Sequence, residues 1–209
     1  MERSFWEKRA WQRWLEVKKL YYDDYAPVEE CLEKAYEVLG FIEENDIELT
    51  DAHNFSVNVE LSQILIEGKY IVEAREHLKI AEKYIVTEYN RSYLDWKNAE
   101  LYISVGNKEE AFKLYNKSLE YYKDIKEYDD IKYYRNELAI KHQIAKYFKI
   151  YKYIKETILK NIEMYQNGTE SLGYLKDTYK TFIELATACG DMLFIQKVNK
   201  ELNLLKIAL

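Results

Sequence analysis

The sequence is poor in residues that interrupt regular structure. One proline and six glycines among 209 residues exclude long linkers and low-complexity tails, so nearly every residue must belong to a packed element. Two cysteines, Cys31 and Cys189, exclude a disulfide framework or a zinc site and suggest free thiols in a reducing compartment. The N-terminal Met1-Glu2-Arg3-Ser4-Phe5-Trp6 carries scattered charges, and no apolar run reaches signal-peptide or membrane-span length, which predicts a cytoplasmic protein with no membrane span. Also missing are a zincin-type HExxH pattern, a phosphate-cradling glycine loop and a nucleophile elbow. His53, His77 and His142 fall on different predicted helices, and Asp23-Asp24 and Asp129-Asp130 are adjacent pairs whose side chains diverge on a helix. No enzyme, metal or cofactor is expected.

The chain is 48% hydrophobic and 33% charged, with a net charge of -6. Residues 21–51 hold eleven acidic side chains against Lys34, whereas residues 131–160 hold eight basic ones against Glu137 and Glu156. Apolar residues recur at three- and four-residue steps, and strand-like alternation is absent, so the expected class is all-α. Punctuation divides the chain into ten helices. The first runs from Ser4 to Tyr25 and is stopped by Ala26-Pro27; the second reaches Glu44. Thr50 caps the third, which ends at Gly68, and the fourth covers Tyr70 to Thr87 with Ala74, Leu78, Ala81 and Ile85 on one stripe. The fifth and sixth, Tyr89 to Val105 and Lys108 to Lys126, enclose the Gly106-Asn107 turn. Asp129-Asp130 starts a seventh ending at Phe148. The eighth runs to Tyr165, Thr169 or Ser171 caps the ninth, and Cys189-Gly190-Asp191 leads into a tenth ending near Ile207. These pair into five antiparallel hairpins forming one domain, 1–209, with residues 1–45 as an N-terminal capping hairpin and 46–209 as about four degenerate repeats.

At Ala99, Tyr102, Gly106, Glu110-Ala111, Tyr115 and Ser118 the spacing of small and aromatic residues resembles the tetratricopeptide repeat. A second copy is present at Leu61, Ser62, Leu65, Gly68, Ala74, Leu78 and Ala81, and a weaker third at Phe182, Ala186, Gly190-Asp191 and Ile195. The small-residue positions Ala74, Ala111, Ile154 and Ile195 stand 37, 43 and 41 residues apart, longer than the usual repeat of about 34. Such long copies resemble the repeats of peptide-sensing regulators of low-GC Gram-positive bacteria and their phages, here without a helix-turn-helix ahead of them. The resemblance implies a right-handed superhelix whose concave groove, lined by the first helix of each hairpin, binds a protein or peptide. Its groove positions fall on Tyr93, Trp96, Glu100 and Ser104, on Ser56, Val59, Gln63 and Glu67, on Asn136, Gln143, Lys146 and Tyr147, and on Asp177, Lys180 and Glu184. Gln63, Asn136 and Gln143 stand out because an amide both donates to and accepts from a ligand backbone.

Two further features have competing readings. Trp6, Trp11 and Trp14 lie among Arg3, Lys8, Arg9, Arg13, Lys18 and Lys19, which suits either an end cap packed onto the next hairpin or a surface that meets another molecule. Residues 131–160 interleave tyrosines with lysines in the manner of a single-strand nucleic-acid binder. With 21 tyrosines in the chain that interleaving follows from composition, so nucleic acid is the lesser alternative. The same basic stretch and the acidic face of Glu29, Glu30, Glu33 and Glu37 can also attract each other between two copies, giving a homodimer.

Overall fold

The computed structural model describes residues 2–123 and 131–205. Among them are ten α-helices: α1 (Glu2–Tyr22), α2 (Val28–Glu44), α3 (Asp51–Glu67), α4 (Ile71–Glu82), α5 (Glu88–Ser104), α6 (Lys108–Lys123), α7 (Ile131–Phe148), α8 (Tyr151–Gln166), α9 (Leu172–Ala188) and α10 (Met192–Leu204). No strand is present among the described residues, and none of their helices is long and apolar enough to cross a membrane.

Local chemistry sets most boundaries. Thr50 Oγ1 accepts from His53 N, Thr87 Oγ1 from Asn90 N, Asn107 Oδ1 from Glu110 N, Ser171 Oγ from Tyr174 N and Asp191 Oδ1 from Phe194 N, so five of the described helices begin on a side-chain cap that satisfies an otherwise orphaned amide. Of the two proposed caps for α9, Ser171 is the one used. Gly106 takes a φ of +79°, which lets Asn107 N reach back to Tyr102 O at 2.9 Å and closes α5, a conformation open to glycine at no steric cost. The fourth helix is shorter than its apolar stripe suggests: it ends at Glu82, and Ile85 belongs to the connection. Thr87 has already committed the following residues to α5, and a stripe marks what is buried without marking where helical backbone stops. The Asp129-Asp130 start and the ends proposed at Lys126 and Ile207 lie outside the described residues.

Packing is mainly between helices consecutive in the chain, with further contacts between α1 and α3, α3 and α5, α7 and α9, and α8 and α10. Contacts cluster into two compact units, residues 1–121 and 122–209. Within each unit the alternation of these contacts is consistent with a helical repeat. The core of the N-terminal unit includes Trp14, Cys31, Ala35, Phe55, Val59, Leu61, Leu65, Ala74, Leu78 and Ala81. Small residues bring α5 and α6 close: Ala99, Ala111 and Ser118 have no exposed surface, and Ser92 and Ser118 each donate a hydroxyl to the other's carbonyl, at 3.0 and 2.8 Å. The core of the C-terminal unit is built from Ile154, Ile158, Ile162, Leu175, Phe182, Ala186 and Val198.

The Trp-rich α1 packs on its own chain. Trp14 is buried and its Nε1 donates to Glu60 Oε2 at 2.7 Å. Trp11 stacks on His53 with ring centroids 4.1 Å apart, and the Arg13 guanidinium lies 3.9 Å from the Phe41 ring centre, a cation–π contact. All four tryptophans fall in the N-terminal unit. Cys31 is buried and Cys189 exposed, both as free thiols.

Candidate functional site

The first-helix layer of the N-terminal unit, α1, α3 and α5, brings four of the sequence-predicted residues together. Gln63 of α3 faces α5, where Tyr93, Trp96 and Glu100 follow one another at helical spacing and share a face. At the centre is Lys97, only 5% exposed. Its Nζ donates to Gln63 Oε1 at 2.7 Å and to Glu100 Oε2 at 3.0 Å, and lies 3.8 Å from the Trp96 ring centre and 5.3 Å from that of Tyr93. A buried ammonium needs such a set of acceptors and π faces, because its desolvation is otherwise uncompensated. Gln63 and Glu100 therefore have an internal partner and are not simply open to solvent.

The last turn of α1 adds phenols to this cluster. Tyr21 meets Glu67 and Gln63 through its hydroxyl; burial, with Glu67 and Glu100 nearby, pushes its pKa far above the ordinary range. Burial does the same for Tyr93, which hydrogen-bonds with Tyr22. These groups remain neutral at any physiological pH and act as hydrogen-bond donors and acceptors. Tyr22 is 40% exposed, so the layer shows solvent part of an aromatic ring. Below it Glu60 joins α3 to α1 by taking the Trp14 indole N–H and the Lys18 ammonium, each at 2.7 Å. Trp96 Nε1 is buried and has no hydrogen-bond partner among the described residues. Val59, also proposed for the groove, is instead fully buried in the core: on α3 the face toward α1 and α5 and the face toward α4 are both covered, so this register position points inward.

Of the other predicted residues, Ser56 and Glu67 lie on α3, Ser104 on α5, and in the C-terminal unit Asp177, Lys180 and Glu184 lie on α9 and four on α7. Asn136, Gln143, Lys146 and Tyr147 are half-buried. Lys146 pairs with Asp177 of α9 at 3.0 Å, while Gln143 Oε1 is buried with no hydrogen-bond partner among the described residues. Between them is a group that sequence reasoning missed. His142 has no exposed surface. Thr181 Oγ1 donates to Asp177 O at 3.2 Å, so at 3.1 Å it accepts from His142 Nε2–H, which fixes the neutral tautomer and leaves Nδ1 without a partner among the described residues. Burial pulls the His142 pKa down to about 4, with Asp177 opposing the shift and Lys146 adding to it. Nearby Asn161 Nδ2 donates to Thr178 Oγ1 at 3.1 Å. The signal for these residues was only that His142, Thr178 and Thr181 fall on otherwise apolar helix faces.

The basic stretch 131–160 is largely neutralised within the unit. Arg135 pairs with Glu170, Lys141 with Glu137, Lys149 with Glu184 and Lys155 with Asp191, at 2.7–3.2 Å. No three His, Cys, Asp or Glu side chains among the described residues converge as metal ligands. No protein-family model matches the sequence, and neither a curated protein nor a solved structure matches it.

Proposed function

We propose that this chain is a non-enzymatic helical-repeat protein that receives a protein or peptide segment on the first-helix layer of its N-terminal unit. In this reading the hairpins follow the right-handed superhelical course of the tetratricopeptide repeats they resemble, and α1, α3 and α5 form the receiving surface. The observation that carries it is Trp96: its indole N–H is shielded from water and has no acceptor among the described residues, beside Gln63, Tyr93 and the half-open Tyr22. A donor in that state costs stability until something accepts from it, and a backbone carbonyl of an extended segment can do so once the side chains that cover the N–H move aside. Neutral phenols in the same layer suit a peptide backbone better than a phosphate chain.

The nucleic-acid alternative through residues 131–160 has the weaker support, because the lysines it needs already face carboxylates and would have to exchange them for phosphates. A peptide-display selection against the full chain, followed by calorimetry, tests the proposal. Trp96→Phe keeps a ring and removes the N–H; it should weaken selected ligands about tenfold, as expected for one hydrogen bond to a shielded group. Ligands that bind Trp96→Phe and Gln63→Ala as tightly as the native chain would rule out this surface.

A further inference from the structure

Away from the first-helix layer, the N-terminal unit has a cleft of about 260 Å³ lined by Glu29, Leu32 and Tyr36 of α2 and by Tyr70 and Glu73 at the start of α4. Glu29, Leu32 and Tyr36 follow at helical spacing on one face of α2. Two large rings stand partly open here, Tyr36 at 43% and Tyr70 at 46% exposure, although each is big enough to close the cleft by collapsing into it.

Both rings are held in place. The Tyr36 hydroxyl donates to Glu73 Oε2 at 2.7 Å, tying α2 to α4; burial and that carboxylate push its pKa up to about 12, so the proton stays on the phenol. The Tyr70 ring is seated over Gly68. A Cβ on Gly68 would meet the ring at 2.7 Å and Val28 Cγ1 at 3.0 Å, so only the missing side chain lets the ring lie there. Lys69 adopts a φ of +65° just before it, and this turn brings Tyr70 back toward α2.

The cleft is thus lined by two tyrosine rings, one aliphatic side chain and two carboxylates. The surroundings add to the negative field, since Glu30, Glu33 and Glu37 are all exposed on α2 and Lys34, its one basic residue, pairs with Glu37 at 3.0 Å. We propose that this cleft binds a methylated alkylammonium group, its diffuse positive charge resting against the Tyr36 and Tyr70 rings and balanced by Glu29 and Glu73. Ring faces attract cations through their quadrupole and favour a bulky, weakly hydrated one. A bare ammonium, with three N–H bonds to satisfy, finds its acceptors chiefly in the two carboxylates. The group arrives either on a free small amine or on a methylated lysine side chain of a polypeptide. The site is separate from Trp96 and does not depend on peptide binding there.

The test is NMR titration of the full chain with choline, with N-acetyl-trimethyllysine amide, with unmethylated N-acetyl-lysine amide, and with the uncharged tert-butyl isostere of the trimethylated compound. The expected result is saturable shifts confined to α2 and the start of α4, at least tenfold tighter for the trimethylated cation than for its uncharged isostere or for the unmethylated amine. Choline binding as tightly as the trimethyllysine compound identifies a free amine as the ligand, and a clear preference for the latter identifies a lysine side chain. Gly68→Ala displaces the Tyr70 ring with both carboxylates retained at a φ of -71° that alanine accepts, and should weaken binding about tenfold with an unchanged circular dichroism spectrum; Glu73→Gln should do the same. Equal affinity for the charged and uncharged isosteres, no saturation by millimolar cation, or full binding by Gly68→Ala would overturn the proposal.

Discussion

In the N-terminal unit an ammonium lies inside the first-helix layer, with Lys97 enclosed by Gln63, Glu100 and the Trp96 ring. In the C-terminal unit the groups enclosed between helices are neutral, His142 of α7 on Thr181 of α9 and Asn161 of α8 on Thr178 of α9. Its ammonium groups lie at the edge, where Lys146, Lys149 and Lys155 meet Asp177, Glu184 and Asp191. The same kind of helix packing thus tolerates two ways of placing polar atoms between helices. An enclosed charge makes its partners indispensable to one another. An enclosed neutral donor ties stability to pH instead, because protonation would bury a charge that the half-exposed Asp177 offsets only in part.

The largest test of this contrast is Lys97→Ala, which removes the ammonium and leaves Glu100, itself only 13% exposed, without its ion partner. A loss of about 3–5 kcal/mol is expected, as for other broken buried pairs, read as a fall in the urea midpoint. Lys97→Met combined with Glu100→Leu replaces the pair by apolar volume and should recover most of that loss. If the single variant is as stable as the native chain, the N-terminal layer is not held by charge.

Next in size is the response to acid. His142 stays neutral in the folded chain down to about pH 4, whereas an unfolded histidine takes up a proton near pH 6.5. Between those values the unfolded state binds more protons, so this contribution to stability is complete above pH 6.5 and falls away as the pH drops toward 4, by about 3 kcal/mol. Urea unfolding at pH 7, 5.5 and 4.5 should show a smaller decline for His142→Asn than for the native chain. An equal decline in the two proteins would assign acid sensitivity to other groups.

The smallest effects are expected at Lys149, whose φ is +59° and whose pair with Glu184 is more than half exposed on both sides. Lys149→Gly relieves the left-handed strain and should raise stability by about 1 kcal/mol, while Glu184→Ala should change it by less than about 0.5 kcal/mol. A Glu184→Ala cost comparable to that of Lys97→Ala would erase the distinction between edge and interior.

Much of this arrangement is legible in the sequence. Thr50, Gly68 and Gly106 mark helix ends because capping and left-handed turns are local chemistry. The choice of Gln63, Tyr93, Trp96 and Glu100 rests on the tetratricopeptide resemblance; helical spacing accounts only for the shared face of Tyr93, Trp96 and Glu100 on α5. Lys97 escapes the same reasoning because a lysine ordinarily extends to water, and only neighbours from α3 and α5 together show that this one is enclosed. His142 is hidden for a related reason: a lone imidazole on a helix gives no sign of whether a Thr181 hydroxyl one hairpin away will hold it. The tyrosine-lined cleft depends on Tyr70 lying back across Gly68, a through-space contact with no counterpart in periodicity.

The distribution of indoles and thiols divides the chain into two optical halves. Trp6, Trp11, Trp14 and Trp96 all fall within residues 1–121, so tryptophan fluorescence, excited where tyrosine does not absorb, reports the N-terminal unit alone. Cys189 is the exposed thiol, while Cys31 is enclosed, so a maleimide dye added to the native protein marks the C-terminal unit at a single point. One sample therefore carries two independent clocks, and simultaneous recording of both during unfolding would reveal whether the halves melt as one body or in turn.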